Sequence, residues 1–121
     1  MCSDAMAASA NANPVHVRRL LGRFRAAGLV ASKCGVGGGS HLLRDPATIT
    51  LADVWRIVHG GNHVLGSYEG HPDCAVGRNI QPLLIDLDRR ARRALEDELA
   101  TTTISQLASQ AVARADLHAL A

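Results

Sequence analysis

Three kinds of side chain in this sequence could do chemistry: thiols, imidazoles, and a group of guanidiniums beside a glycine run. The thiols are Cys2, Cys34 and Cys74. An odd number of widely spaced cysteines is not a disulfide framework and suits a reducing compartment. Cys34 opens the stretch "CGVGGG" at 34–39. A phosphate-cradling loop needs Gly-x-x-x-x-Gly-Lys-Ser/Thr between a strand and a helix. No lysine follows Gly39, so that chemistry is excluded and a hairpin turn remains. Cys74 has His71 three residues before it and a helix start after it, surroundings that can activate a thiol. It is therefore the candidate redox residue, whereas Cys34 reads as inert and Cys2 as a terminal residue. His59, His63 and His71 with Cys74 offer one His-x-x-Cys spacing and no second close pair, too little for zinc, so no metal site is expected. Ser, His and Asp are scattered and no carboxylate pair marks a cleft. No catalytic residue is assigned, and the chain does not read as an enzyme.

The guanidiniums carry the stronger signal. The net charge of +2 hides an asymmetry. Residues 1–44 hold Arg18, Arg19, Arg23, Arg25, Lys33 and Arg44 against Asp4 alone, while residues 45–121 hold seven basic and ten acidic residues. The N-terminal third is thus the candidate surface for a polyanion. No apolar run is long enough for a membrane helix. The N-terminus lacks the basic start and apolar middle of a signal peptide, so the expected location is the cytoplasm.

The elements that must position these residues are mostly helical. The 121 residues allow one domain, and with aromatics limited to Phe24, Trp55 and Tyr68 the core must come from Ala, Leu, Val and Ile. A short helix starts at Ser3 as N-cap, "NAN" at 11–13 turns the chain, and Pro14 opens a helix that stops at Gly28. Its apolar stripe is Val17, Leu20, Leu21 and Phe24. Val15, Arg19, Gly22, Arg23 and Ala26 point the opposite way, with His16, Arg18 and Arg25 on the flanks. Leu29–Lys33 and Ser40–Arg44 then flank the glycines as two short strands of a hairpin. Thr50 and Asp53 form a capping box for a helix whose apolar side is Leu51, Val54, Trp55 and Val58, ending at Gly60-Gly61. Residues 60–78 read as loop. Asn79 opens the longest helix, with an apolar seam of Ile80, Leu84, Leu87, Ala91, Ala94 or Leu95, and Leu99 and Arg89, Arg90, Arg92 and Arg93 on its outer faces. Thr103 and Gln106 cap the last helix.

Short helix, tight turn, basic helix and Gly-tipped hairpin, in that order, make a winged helix-turn-helix, whose second helix lies in a DNA major groove. Asn13, His16, Arg18 and Arg19 carry groups able to bond base edges or phosphates. Arg18, on the flank, could instead hold a carboxylate of its own chain; Arg19 and Arg23 are better placed for DNA. Lys33 lies at the base of the wing.

The stretch "ANANPVHVRRLLGRFRAAGLVASKCGVGGGSHLLRDPATITLADVWRIV" resembles the Rrf-type winged-helix transcription regulators of bacteria. The series Asn-Pro-x-x-Val-Arg-Arg-Leu-Leu, Ala-Gly-Leu-Val, Gly-x-Gly-Gly-Gly and Ile-Thr-Leu-x-Asp-Val occurs in order. The likeness continues through "HPDCAVGRNIQPLL" and "ATTTISQL". The resemblance implies a homodimeric DNA-binding repressor of mainly α fold with a small β-hairpin. Asn13 to Arg19 would read double-stranded DNA. Gly37, Gly38, Gly39, Ser40 and His41 would form the wing. The long C-terminal helix would cross its partner through Ile80, Leu84, Leu87, Ala91 and Leu95. Residues 1–59 would be the DNA-binding region, 60–79 a loop, and 80–121 the dimerisation and C-terminal helices of one domain. Some relatives hold an iron–sulfur cluster through three close cysteines before the dimer helix. That loop has only Cys74 here, so no cofactor is expected, and the match is to the cluster-free branch. Relatives also begin with one more helix than this chain, which suggests a shortened gene product. The alternative function is a dimerising sensor or partner-binding module without strong DNA affinity.

Overall fold

The computed structural model describes residues 2–33, 35, 37–61, 63–66 and 72–120. In chain order these form α1 (Ser3–Ala10), α2 (Pro14–Ala26), β1 (Val30–Lys33), β2 (Gly39–Leu42), a 3₁₀ turn (Pro46–Thr48), α3 (Leu51–His59), α4 (Ala75–Leu99) and α5 (Ile104–Leu120). The fold is mainly helical with one antiparallel hairpin, as expected from the sequence.

Local chemistry sets the helix-turn-helix. Asn11 ends α1 in the left-handed conformation (φ 52°), with Ala12 N–H reaching back to the Ala7 carbonyl at 2.8 Å. Asparagine is among the few non-glycine residues that tolerate this region. Asn13 then caps α2, its Oδ1 accepting from Val15 N–H at 2.9 Å, and Pro14 takes the first helical position. Gly28 (φ 77°) closes α2. Leu29 N–H bonds to the Phe24 carbonyl and Gly28 N–H to the Arg25 carbonyl, the paired bonds of a Schellman end. That turn aims the chain directly into β1. The cap of α1 differs from expectation. Cys2 occupies the N-cap with no side-chain bond, and Ser3 is already helical.

The core gathers where β1 leaves α2. Leu29, Val30 and Ile49 are buried together, with Phe24, Val54, Ile57 and Ile104 packed around them. Ile49 is 1% exposed, a burial that contributes about 1.5–3 kcal/mol. Ile57 takes the core-facing position expected of Val58, which is exposed. Residues 49–51 are also tied to the far end of the chain. Ile104 N–H donates to the Ile49 carbonyl, Leu51 N–H donates to the Thr102 carbonyl, and Thr50 bridges Thr103. Both expected capping boxes form at this junction, Thr50 with Asp53 and Thr103 with Gln106.

α4 begins at Ala75, earlier than Asn79. Cys74 is its N-cap, its Sγ accepting from Gly77 N–H at 3.4 Å, so Pro82 lies inside the helix rather than in its first turn. Asp88, Arg92 and Glu96, one turn apart, face α3 and the segment after it. Arg92 donates to the Gly60 carbonyl at 3.0 Å, and its guanidinium carbon lies 5.5 Å from the Trp55 ring centre. Arg56 Nε meets Glu96 at 3.4 Å. Arg92 is thus turned inward, contrary to its expected outer position; Arg89, Arg90 and Arg93 are exposed. Among the described residues, no helix is long and apolar enough to cross a membrane.

Candidate nucleic-acid interface

The exposed face of α2 follows from its helical phase. Val17, Leu20, Leu21 and Phe24 turn inward and are buried or half-buried, which leaves Val15, Arg19, Arg23 and Ala26 in solvent with Gly22 half-buried between them. The small residues keep this face low, so a groove wall can approach it closely. Arg19 makes no hydrogen bond or ion pair among the described residues, and its charge stands free on that face. His16 is exposed on the flank.

The other arginines of α2 are held by the protein. Arg18 Nη1 lies 3.3 Å from the Asp4 carboxylate on α1, with both groups largely exposed. Arg23 Nη1 donates to the Val58 carbonyl at 2.7 Å, at the end of α3 where helix carbonyls lack partners. Arg25 Nη1 donates to Ser32 Oγ at 2.9 Å and ties the helix to the hairpin. Arg23 is therefore positioned as a strut between α2 and α3, unlike Arg19. Asn13, also in the candidate set, spends its side chain on the α2 cap.

The hairpin pairs Val30 with Leu42, Ala31 with His41, Ser32 with Ser40 and Lys33 with Gly39. Directly opposed residues share a face, and faces alternate along a strand. Ala31, Lys33 and His41 thus form one face, on which Lys33 and His41 are exposed. Val30, Ser32 and Ser40 form the other, toward α2, with Ser32 and Ser40 hydroxyls 3.2 Å apart. At the tip Gly38 N–H donates to the Gly35 carbonyl at 3.0 Å. Gly37 has φ 75° and open space around it, but a Cβ at Gly38 would overlap the Lys33 carbonyl oxygen and come within 2.9 Å of the Gly35 oxygen. The Gly38→Ala variant is expected to open the tip, lowering the melting temperature and weakening DNA binding while helical circular dichroism persists. Gly37→Ala carries only the cost of left-handed alanine, about 1–2 kcal/mol. Equal effects from the two would refute this account of the tip. Cys34 of the wing lies outside the described residues.

A second set of residues lies where α4 meets the segment after α3. Asp88, 8% exposed, accepts Leu65 N–H at 2.7 Å, and His63 Nδ1 lies 3.3 Å from its other oxygen. The Leu65 amide bond, aided by His63, holds the Asp88 carboxyl below the usual carboxylate range, although burial opposes this. A depressed carboxyl stabilises the fold above its ordinary value, about 3.9, and that contribution is lost as pH falls through the lowered one. The wild type is therefore expected to lose more melting temperature between pH 5 and pH 3 than Asp88→Asn does. Equal acid sensitivity would remove this latch. The sequence offers no sign of Asp88 because its partners lie 23 and 25 residues away.

His63 is thus engaged with Asp88, and His59 stacks on Trp55 at 4.6 Å. His71 lies outside the described residues. Cys74 is exposed at the start of α4. Along α4, Leu84 and Leu95 share the half-buried side with Asp88, whereas Leu87 and Leu83 are 43% and 68% exposed and Val76 joins them in phase. Ile80 and Ala91 are half-buried between these sides. Sequence periodicity misses Val76 because a helix start at Asn79 falls a full turn late, and misses Leu83 because the seam runs from Ile80 to Leu84 and Leu87.

The family model described as "Rrf2: Iron-dependent Transcriptional regulator" matches residues 1–110. The chain belongs to the Rrf2 family. A Bacillus subtilis relative named "Putative HTH-type transcriptional regulator YwnA" is 37% identical over 106 residues, spanning 87% of this chain and 79% of the relative. A solved structure described as a "putative DNA binding protein" is 34% identical, with TM-score 0.69, over 88% of this chain and 83% of its own. CymR of Bacillus subtilis, described as the global cysteine regulator, is 28% identical, with TM-score 0.63, over 91% of this chain and 78% of its own. This Rrf2 protein is a transcriptional regulator of a DNA-binding family, not an enzyme. The family description invokes iron. Thiolate-held clusters need several cysteine ligands, and the described residues of this Rrf2 chain offer Cys2 at the start of α1 and Cys74 at the start of α4. No group of three or more His, Cys, Asp or Glu among them could hold a metal. The described residues do not fit a cluster.

Proposed function

We propose that this Rrf2 protein is a homodimeric repressor that reads duplex DNA with the exposed face of α2 and braces on the wing. The observation carrying this reading is the charge of Arg19, unpartnered among the described residues on the exposed face of α2, beside a hairpin whose tip admits only glycine at position 38. Arg19 and His16 are the base-reading groups, and Lys33 and His41 on the outer wing face meet phosphates. The exposed Val76, Leu83 and Leu87 of α4 cover the same residues of a second copy. No iron–sulfur cluster takes part.

Titrating the protein with duplex DNA over a salt series tests the DNA reading. Phosphate contacts release counterions, so affinity is expected to fall steeply and linearly in log–log form. Binding that ignores salt, or no binding, would favour a partner-binding module.

Cys74 is proposed as the redox-responsive thiol. Its Sγ caps α4, and the residue is exposed. Oxidation would disturb that cap at the start of the proposed dimer helix. Mild peroxide is expected to change DNA affinity in the wild type and not in Cys74→Ser. The same response in both would assign it elsewhere.

A further inference from the structure

We propose that the pocket between α1, α2 and the base of the wing is an oxyanion seat for a phosphate group, built around Arg25 and Arg18. This goes beyond the DNA reading above, and it can stand if that reading fails. The pocket encloses about 240 Å³ and is lined by Arg18, Leu21, Arg25, Ser32 and Ser40, with Cys2 and Ser3 at its α1 edge. That is below the roughly 300–1,000 Å³ of sites for drug-sized ligands, which suits a small anion.

Three observations give it this chemistry. Arg18 and Arg25 are two helical turns apart on one flank of α2, with buried Leu21 between them as an apolar floor. Each guanidinium has five N–H donors, and among the described residues one on each is engaged: Arg18 toward Asp4 and Arg25 toward Ser32. Arg25 is thereby held in place by the hairpin, with a linked pair of hydroxyls, Ser32 and Ser40, beside it. Planar guanidiniums match phosphate oxygens in paired hydrogen bonds. Independently, the N-terminus of α1 opens on the same pocket through Cys2 and Ser3, and Cys2 supplies no side-chain cap. Among the described residues no side chain caps its first-turn amides, and an anion can meet them. Among the described residues, no carboxylate lines the pocket. Asp4 pairs with Arg18 from outside it and competes with an entering anion.

One chemistry has two sources here, a backbone phosphate of DNA or free inorganic phosphate. DNA-free protein is titrated with inorganic phosphate against chloride at equal ionic strength, by calorimetry. Saturable binding is expected, weakened about tenfold or more by Arg25→Gln and strengthened up to about fivefold by Asp4→Asn, which removes the competing ion pair. That result assigns a free-anion site. In the DNA salt series, Arg25→Gln is expected to reduce the slope by about one. A reduced slope without phosphate binding assigns the seat to the DNA backbone alone and supports the proposal. If Arg25→Gln does not fold, Arg18→Gln, which leaves the hairpin bond intact, takes its place in both titrations with the same expected losses. No phosphate binding by the wild type together with unchanged slopes would overturn it. If the protein does not bind DNA at all, the phosphate titration decides by itself: binding supports the seat and its absence overturns it.

Discussion

Arg19→Ala is expected to weaken duplex binding by about 1–3 kcal/mol, roughly five- to 150-fold, and to relax discrimination at one base position. The size follows from what the side chain does in the free protein, which is nothing that folding needs. Arg19 has no partner among the described residues, so truncation strands no buried group and leaves stability near that of the wild type. Any loss of affinity then belongs to the complex. Arg23 is the internal contrast, one turn further along the same helix. Its guanidinium donates to the Val58 carbonyl at 2.7 Å. Arg23→Ala should therefore appear first as lost thermal stability, because it leaves the end of α3 without that donor. An Arg19→Ala protein that binds a specific duplex as well as the wild type would take Arg19 out of the interface. One that loses the same affinity for every sequence would make it a phosphate contact instead of a base reader.

That contrast also shows how far the sequence can be followed. Arg18, Arg19, Arg23 and Arg25 are indistinguishable by type, and helical phase separates only the flanks from the face. Phase correctly leaves Arg18 open to a carboxylate, and the structure supplies Asp4. It has no means of finding Val58, 35 residues away, as the acceptor for Arg23. Signals that act within a few residues are legible: Pro14 at a helix start, Gly28 at a helix end, the two capping boxes, and the glycines between short strands. Each works through backbone groups close by in sequence. What sequence reading misses is either non-local or atypical. The bridge between Thr50 and Thr103 and the Asp88 latch join distant segments. Cys74 replaces the usual oxygen cap of α4 with a sulfur acceptor, so the sequence shows a helix start only at Asn79. A start there also makes Pro82 look like a first-turn proline, whereas it lies inside the helix.

The earlier start of α4 changes which of its sides is available, and this sets the prediction with the largest effect. From Ala75 onward, Val76, Ile80, Leu83 and Leu87 fall on one stripe at spacings of four, three and four. Asp88, Arg92 and Glu96 lie roughly 110° to 190° around the helix from it, against α3 and the segment after it. Leu84 and Leu95, both in the seam inferred from sequence, sit with that second set and are half-buried by their own chain. Leu83 and Leu87 are 68% and 43% exposed, which leaves an apolar stripe open to the second copy proposed above. In the proposed twofold dimer the two copies of Leu83 are both buried. Leu83→Asp thus removes two side-chain burials worth about 1.5–3 kcal/mol apiece, roughly 3–6 kcal/mol in all. The dimer dissociation constant should rise by about 10²- to 10⁴-fold. Sedimentation at micromolar concentration is expected to show a dimer for the wild type and a monomer for Leu83→Asp, with the melting of the helix-turn-helix little changed. The monomer should also lose affinity for a two-half-site operator more than for a single half-site, because only the dimer engages both halves at once. A Leu83→Asp protein that sediments with the wild type as a dimer would move the interface off this stripe. A monomeric wild type would remove α4 as the dimer helix altogether.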